Sequence, residues 1–164
     1  MDNPFLGNPK HLSSRWRDLR SRLSKDLTDQ QHLDEVVRFW AKAPMVNPYL
    51  DWDNTKLWPD PWELIAGMDF DPSSVALGME YTLLLSDDNR WSPDRLQPGL
   101  VMLKDGSQQY MVLNVDGTHI LNHHFNRIIP VDECSKDFVI QQTYSYINKS
   151  HVNVKIDRTR WGFE

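Results

Sequence analysis

A single cysteine, Cys134, in 164 residues excludes an intrachain disulfide and a cysteine-rich zinc site. No run approaches the roughly 18 consecutive apolar residues of a membrane-spanning helix, so no membrane partner is expected. The opening "MDNPFLGNPKHL" has neither the basic region nor the apolar core of a signal peptide, which leads to the expectation of a protein made and kept in a cytoplasm. Positive charge is in deficit. Lys and Arg number 18 against 23 Asp and Glu, for a net charge of −5 and a pI near 5.6. That balance argues against direct nucleic-acid binding, which draws on clustered cations. Hydrophobic residues make up 40% of the chain and tryptophans number seven, enough for a packed core in one domain, or one domain plus an arm.

The first third reads as helical. Leu12, Trp16, Leu19, Leu23 and Leu27 recur at three- and four-residue steps and share one face, predicting a helix over 12–27. Arg15, Arg17, Arg20, Arg22 and Lys25 occupy the other face. Thr28 and Gln31 match a capping box that opens a second helix carrying Leu33, Val36, Val37 and Trp40. Pro44 stops it. This helical arm is assigned to residues 1–45 and the main domain to 46–164.

"MVNPYLDWDNTKLWP" has no period and is expected to wrap over the domain, burying its tryptophans singly. Asp60, Pro61 and Glu63 then provide a cap, a first-position proline and a capping-box return, with Gly67 expected just past the helix end. Asp71-Pro72 repeats the device. Val75, Met79, Leu83, Leu84 and Leu85 make the following helix, over 72–86, apolar on most sides and therefore buried.

Beyond "SDDNRWSPDRLQPG" the period falls to two. "LVMLKD", "QYMVLNV", "THILNH", "FVIQQTYSYI" and "VNVKI" read as strands, and Asp116-Gly117 is the preferred pair for a type I′ hairpin. Helices followed by an antiparallel sheet that packs on one buried helix give an α+β fold class.

The segment "WPDPWELIAGMDFDPSSVALGM" resembles the opening of the catalytic helix in the transglutaminase-like superfamily of papain-type cysteine enzymes, its bacterial cysteine-proteinase-like branch in particular. "YMVLNVDGTHILNHHFNRIIP" resembles that family's histidine strand and following hairpin. The likeness spans about residues 57–130. It implies a papain/transglutaminase-like core and a Cys-His-Asp triad. Placing Ala76 on the family's alanine puts Pro72 in the cysteine slot, Tyr110 in the histidine slot and Asn122 in the aspartate slot. Proline carries no nucleophile, and tyrosine, with a usual pKa near 10, is a poor base at neutral pH. The resemblance therefore implies the fold without the triad, and no catalytic residue and no enzyme activity are expected. The alternative is a hydrolase or transferase rebuilt on Ser73 or Ser74.

His119, His123 and His124 are the candidate metal ligands of the sequence. In a strand, four residues separate side chains by about 13 Å, and His123 and His124 would point to opposite faces. A site would need a sharp turn after Leu121 and carboxylates from elsewhere, so neither a metal nor any other cofactor is expected.

"NPYLDWDN" followed by "WPDPWELI" resembles tailed-bacteriophage proteins in style. It implies a structural component of a virion (neck, tail, baseplate or capsid-associated) assembled in the host cytoplasm, a regulatory binding module being the weaker reading. The expected partners are other virion proteins and further copies of the chain in a ring or layer. Arg15, Arg17, Arg20 and Arg22 would meet acidic residues such as Asp51, Asp53, Asp60, Asp87 and Asp88 on the next copy, with Phe5, Leu6 and Trp161 as apolar anchors.

Overall fold

The first three α-helices of the chain each start on a side-chain cap. In the computed structural model, which describes residues 3–45, 50–124 and 127–163, Asn8 accepts from the His11 N–H and Pro9 takes the first turn of α1 (Pro9–Arg22). Thr28 and Gln31 close a reciprocal capping box on α2 (Asp29–Trp40). Asp60 and Glu63 do the same for α3 (Pro61–Gly67). α4 (Ser74–Leu84) follows. The periodicity over 12–27 overran α1, which stops at Arg22; Leu23 is buried as its C-cap residue, and Leu27 lies beyond the helix, half-buried. Gly67 is inside α3, and Met68 takes the left-handed position with φ 54°.

α4 is the centre of the molecule. Its residues 74–83 are all buried, and α1, α2 and α3 pack round it. Thr82 ties three helices together. Its Oγ1 accepts from the indole N–H of Trp16 (2.9 Å) and of Trp40 (3.0 Å) and donates to the Gly78 carbonyl (2.6 Å). Gly78 must be a glycine, because a Cβ there would sit 2.5 Å from the Trp40 ring.

The other side of α4 faces one six-stranded antiparallel sheet in the order β4-β3-β2-β1-β5-β6. Its strands are β1 (Leu96–Leu103), β2 (Gln109–Val115), β3 (His119–Leu121), β4 (Ile129–Pro130), β5 (Phe138–Ile147) and β6 (Ser150–Val154). A short helix, α5 (Val131–Cys134), joins β4 to β5. Asp116 and Gly117 both have positive φ, and the Thr118 N–H reaches the Val115 carbonyl, so the expected hairpin turn joins β2 to β3. β1 begins earlier than expected, since the Pro98-Gly99 pair lies inside the strand rather than in a turn. Pairing with β5 starts only at Gly99, so Pro98 has a neighbouring strand on one side alone.

Both faces of the sheet are covered, which explains the unbroken apolar run of β2. Met111, Leu113 and Val115 join the helix-side core, whereas Tyr110 and Val112 join a smaller core with Phe138 and Trp161. Leu12, Trp16 and Phe5 from the first 45 residues belong to the same core as α4. The 45/46 boundary abuts residues 46–49, which lie outside the described residues, as does part of the "NPYLDWDN" stretch. Among the described residues no helix is long and apolar enough to cross a membrane.

Candidate functional site

The N-terminus of α4 is built by Asp71. This buried carboxylate accepts from the N–H groups of Ser73 (2.9 Å) and Ser74 (2.5 Å), and the Asp71 N–H donates to Ser74 Oγ (2.9 Å). The arrangement is a capping box shifted two residues ahead of the regular helix. Its effect is to fix Pro72 where the start of α4 meets β2 and the residue after β3.

β3 stops at Leu121 because Asn122 adopts φ 72°. Asparagine tolerates this left-handed conformation better than most residues. The turn aims the Asn122 carboxamide inward, where it donates to the Pro72 carbonyl (2.6 Å) and the Met111 carbonyl (2.8 Å). Pro72, Tyr110 and Asn122, the residues in the three slots of the resemblance, line one cleft of about 540 Å³ with Gln109, His123 and His124.

The polar groups of this cleft form a chain. Tyr110 O–H donates to His123 Nδ1 (2.5 Å), and His123 Nε2 faces Asp137 Oδ2 (3.1 Å). Burial, aided by the charges of Cys134 and Asp137, pushes the Tyr110 phenol up to about 12. Burial also lowers the His123 pKa, against the raising hydrogen bond from Asp137. Both shifts suit a neutral imidazole that accepts at Nδ1 and donates at Nε2. Tyr110 is thus a donor here and not a base.

Ser73, Ser74 and Cys134 are each occupied or buried. Ser73 is 3% exposed, and its Oγ accepts from the Met111 N–H (3.2 Å). Ser74 is fully buried in the cap. Among the described residues neither hydroxyl is hydrogen-bonded to a histidine or a carboxylate side chain. Cys134 is buried in α5, and burial with its acidic neighbours pushes its thiol up to about 12, far from the thiolate that nucleophilic attack needs.

The residues expected to meet partners divide. Phe5 is 4% exposed and packs on Phe39, Trp40 and Phe70 at 5.1–5.5 Å between ring centres. Trp161 is 1% exposed, its indole N–H donating to Gln97 Oε1 (2.6 Å). Both expected anchors are therefore corrected. They are spent on the chain's own core and have no face left for a partner. Leu6 is 67% exposed. Arg17 and Arg22 are exposed, Arg22 lying 3.6 Å from Glu35. Arg15 is half-buried, and Arg20 lies over the Trp16 ring at 4.3 Å, beside Trp62. Asp137 and the pairing of His123 with His124 were missed by sequence reasoning. The adjacent histidines after a strand were the only available signal.

The fold has counterparts among solved structures. Legionella pneumophila LapG superposes with a TM-score of 0.66 over 84% of this chain and 74% of its own, at 20% identity. Its EGTA-treated form gives 0.68 over 92% and 80% at 20% identity, and its calcium-bound form 0.68 over 94% and 88% at 17%. The fold is transglutaminase-like. No protein-family model and no curated protein matches the chain, so at these identities LapG speaks for the architecture of the helix–sheet core and for nothing more specific.

Proposed function

We propose that this chain is a non-catalytic structural protein of a bacteriophage virion, built on a transglutaminase-like fold. The observation that carries the non-catalytic part is the contact of Asn122 with Pro72. The slot in which the resemblance calls for a nucleophile holds a proline whose carbonyl is tied by the residue in the acid's slot. The serines that follow are buried in backbone hydrogen bonds. A rebuilt serine site would need a base beside Ser73 or Ser74.

The virion part rests on the tailed-phage style of the sequence and on charge asymmetry. α1 carries exposed Arg17 and Arg22, and Leu6 in the segment before it is exposed as well. Asp51, Asp53, Asp60 and Asp87 are exposed on other segments. A head-to-tail contact between such surfaces is heterologous and closes into rings or stacks into layers. Light scattering of the purified chain across ionic strength, with the Arg17→Glu/Arg22→Glu variant alongside, tests that contact. A salt-sensitive oligomer lost in the variant supports it. A monomer at every salt concentration, together with absence of the chain from purified particles of a phage that encodes it, refutes it.

A further inference from the structure

We infer that His123, His124 and Asp137 form a binding site for one divalent transition-metal ion of the zinc class. A metal here needs a sharp turn after Leu121 and a carboxylate from elsewhere. Both are met. Asn122, at φ 72°, breaks the strand directly after Leu121. The two imidazoles, which strand geometry would send to opposite faces, then lie side by side with ring centres 4.3 Å apart. Asp137 arrives from the turn after α5. Its N–H donates to the Cys134 carbonyl (2.9 Å), and its carbonyl accepts from the Lys104 N–H (3.0 Å), so the residue is anchored on both sides.

The spacing is that of ligands. One ring nitrogen from each histidine and a carboxylate oxygen of Asp137 all lie within 4.8 Å of one another. His123 Nε2 and Asp137 Oδ2 are 3.1 Å apart. Two donors on a tetrahedral zinc at about 2.0–2.1 Å sit roughly 3.3 Å apart, so that pair already stands close to the separation that two ligands of one ion take.

The site is also supported from behind. Tyr110 O–H occupies His123 Nδ1 and leaves Nε2 facing outward, as the partner of a metal-bound imidazole does. The Phe138 ring meets the His123 ring edge to face at 5.2 Å. His123 is therefore fixed, while His124 and Asp137 are exposed and open the remaining coordination position to a cleft of about 490 Å³. Two imidazoles and one carboxylate suit zinc, cobalt or nickel. They do not suit calcium, which takes six to eight oxygens.

The test uses the tag-free full chain, stripped with EDTA and titrated calorimetrically with Zn²⁺, then followed by the visible absorption of bound Co²⁺. One equivalent of each ion is expected, with no response to Ca²⁺. His124→Ala and Asp137→Ala change exposed side chains and leave the circular dichroism spectrum intact. Each weakens Zn²⁺ binding by more than the roughly 10–100-fold typical of losing an outer partner. Tyr110→Phe keeps the stoichiometry and weakens binding about 10-fold, and His119→Ala leaves it unchanged. Absence of Zn²⁺ binding, or an affinity equal to wild type in both ligand variants, overturns the assignment.

Discussion

Asn122 and Pro72 are joined by a 2.6 Å hydrogen bond from a carboxamide to a backbone carbonyl. The same amide group reaches Met111, so both of its hydrogens face acceptors. An aspartate in this place would turn a carboxylate toward two carbonyl oxygens. Asn122→Asp, the change that restores the acid of the resemblance, is expected to destabilise the fold by about 2–4 kcal/mol at neutral pH, since it removes two hydrogen bonds and buries repulsion in their place. The deficit shrinks as acid protonates the new carboxyl. Urea unfolding of the variant at neutral and acidic pH checks both parts.

Phe5 and Trp161 make a second prediction. Each is buried in the chain's own core, so Phe5→Ala and Trp161→Ala should each cost about 3–5 kcal/mol in the isolated protein. Gly99→Ala should be harmful from the other side of the same contact, because its Cβ would lie 2.4 Å from the Trp161 ring. Truncation of residues 1–11 removes Phe5 and the start of α1, so it is expected to lower thermal stability rather than merely to free an arm. Scanning calorimetry separates these outcomes.

Glu80 and His151 form a third testable pair, bonded at 2.6 Å inside the protein with Trp58 and Tyr146 against the imidazole. Glu80 Oε2 has no hydrogen-bond partner among the described residues. Removing one member strands a buried polar group, so His151→Leu is expected to cost about 3–5 kcal/mol. The Glu80→Leu/His151→Leu double variant should be more stable than that single variant. A double-mutant cycle by denaturant unfolding reads the coupling.

Asp29 gives a dependence on acid. The hydrogen bond from Arg95 is the largest influence and lowers its pKa in the folded state; burial opposes it, and the hydrogen bond and charge of Arg90 add to the lowering. A depressed carboxylate pKa adds stability above the unfolded value, and that stability is lost as pH falls through the folded value. The side chain is half exposed, so the contribution is under about 1 kcal/mol. Wild type should exceed Asp29→Asn in urea midpoint near pH 6, with the gap closing below about pH 4.

The helix faces, the two capping boxes and the Asp116-Gly117 hairpin were legible in the sequence because each depends on local spacing or local backbone preference. The same holds for the buried α4. Pro98-Gly99 misled because it is a turn signal locally, yet it serves a strand edge and a close approach by Trp161. Phe5 sits in a short, proline-punctuated segment whose burial comes from docking, which leaves no period to read. The slots Pro72, Tyr110 and Asn122 did converge in one cleft. Asp137 could not be placed there, because α5 and its turn deliver it from 14 residues beyond His123.

The non-catalytic role proposed for the chain requires that the α4 end of the cleft hold no working nucleophile. Intact mass spectrometry after prolonged exposure to a fluorophosphonate and to iodoacetamide tests it directly, with chymotrypsin and papain as positive controls. The native chain is expected to stay unmodified, with alkylation of Cys134 only after denaturation. A single stoichiometric adduct on Ser73 or Ser74 in the native protein, lost in the matching serine-to-alanine variant, would contradict it.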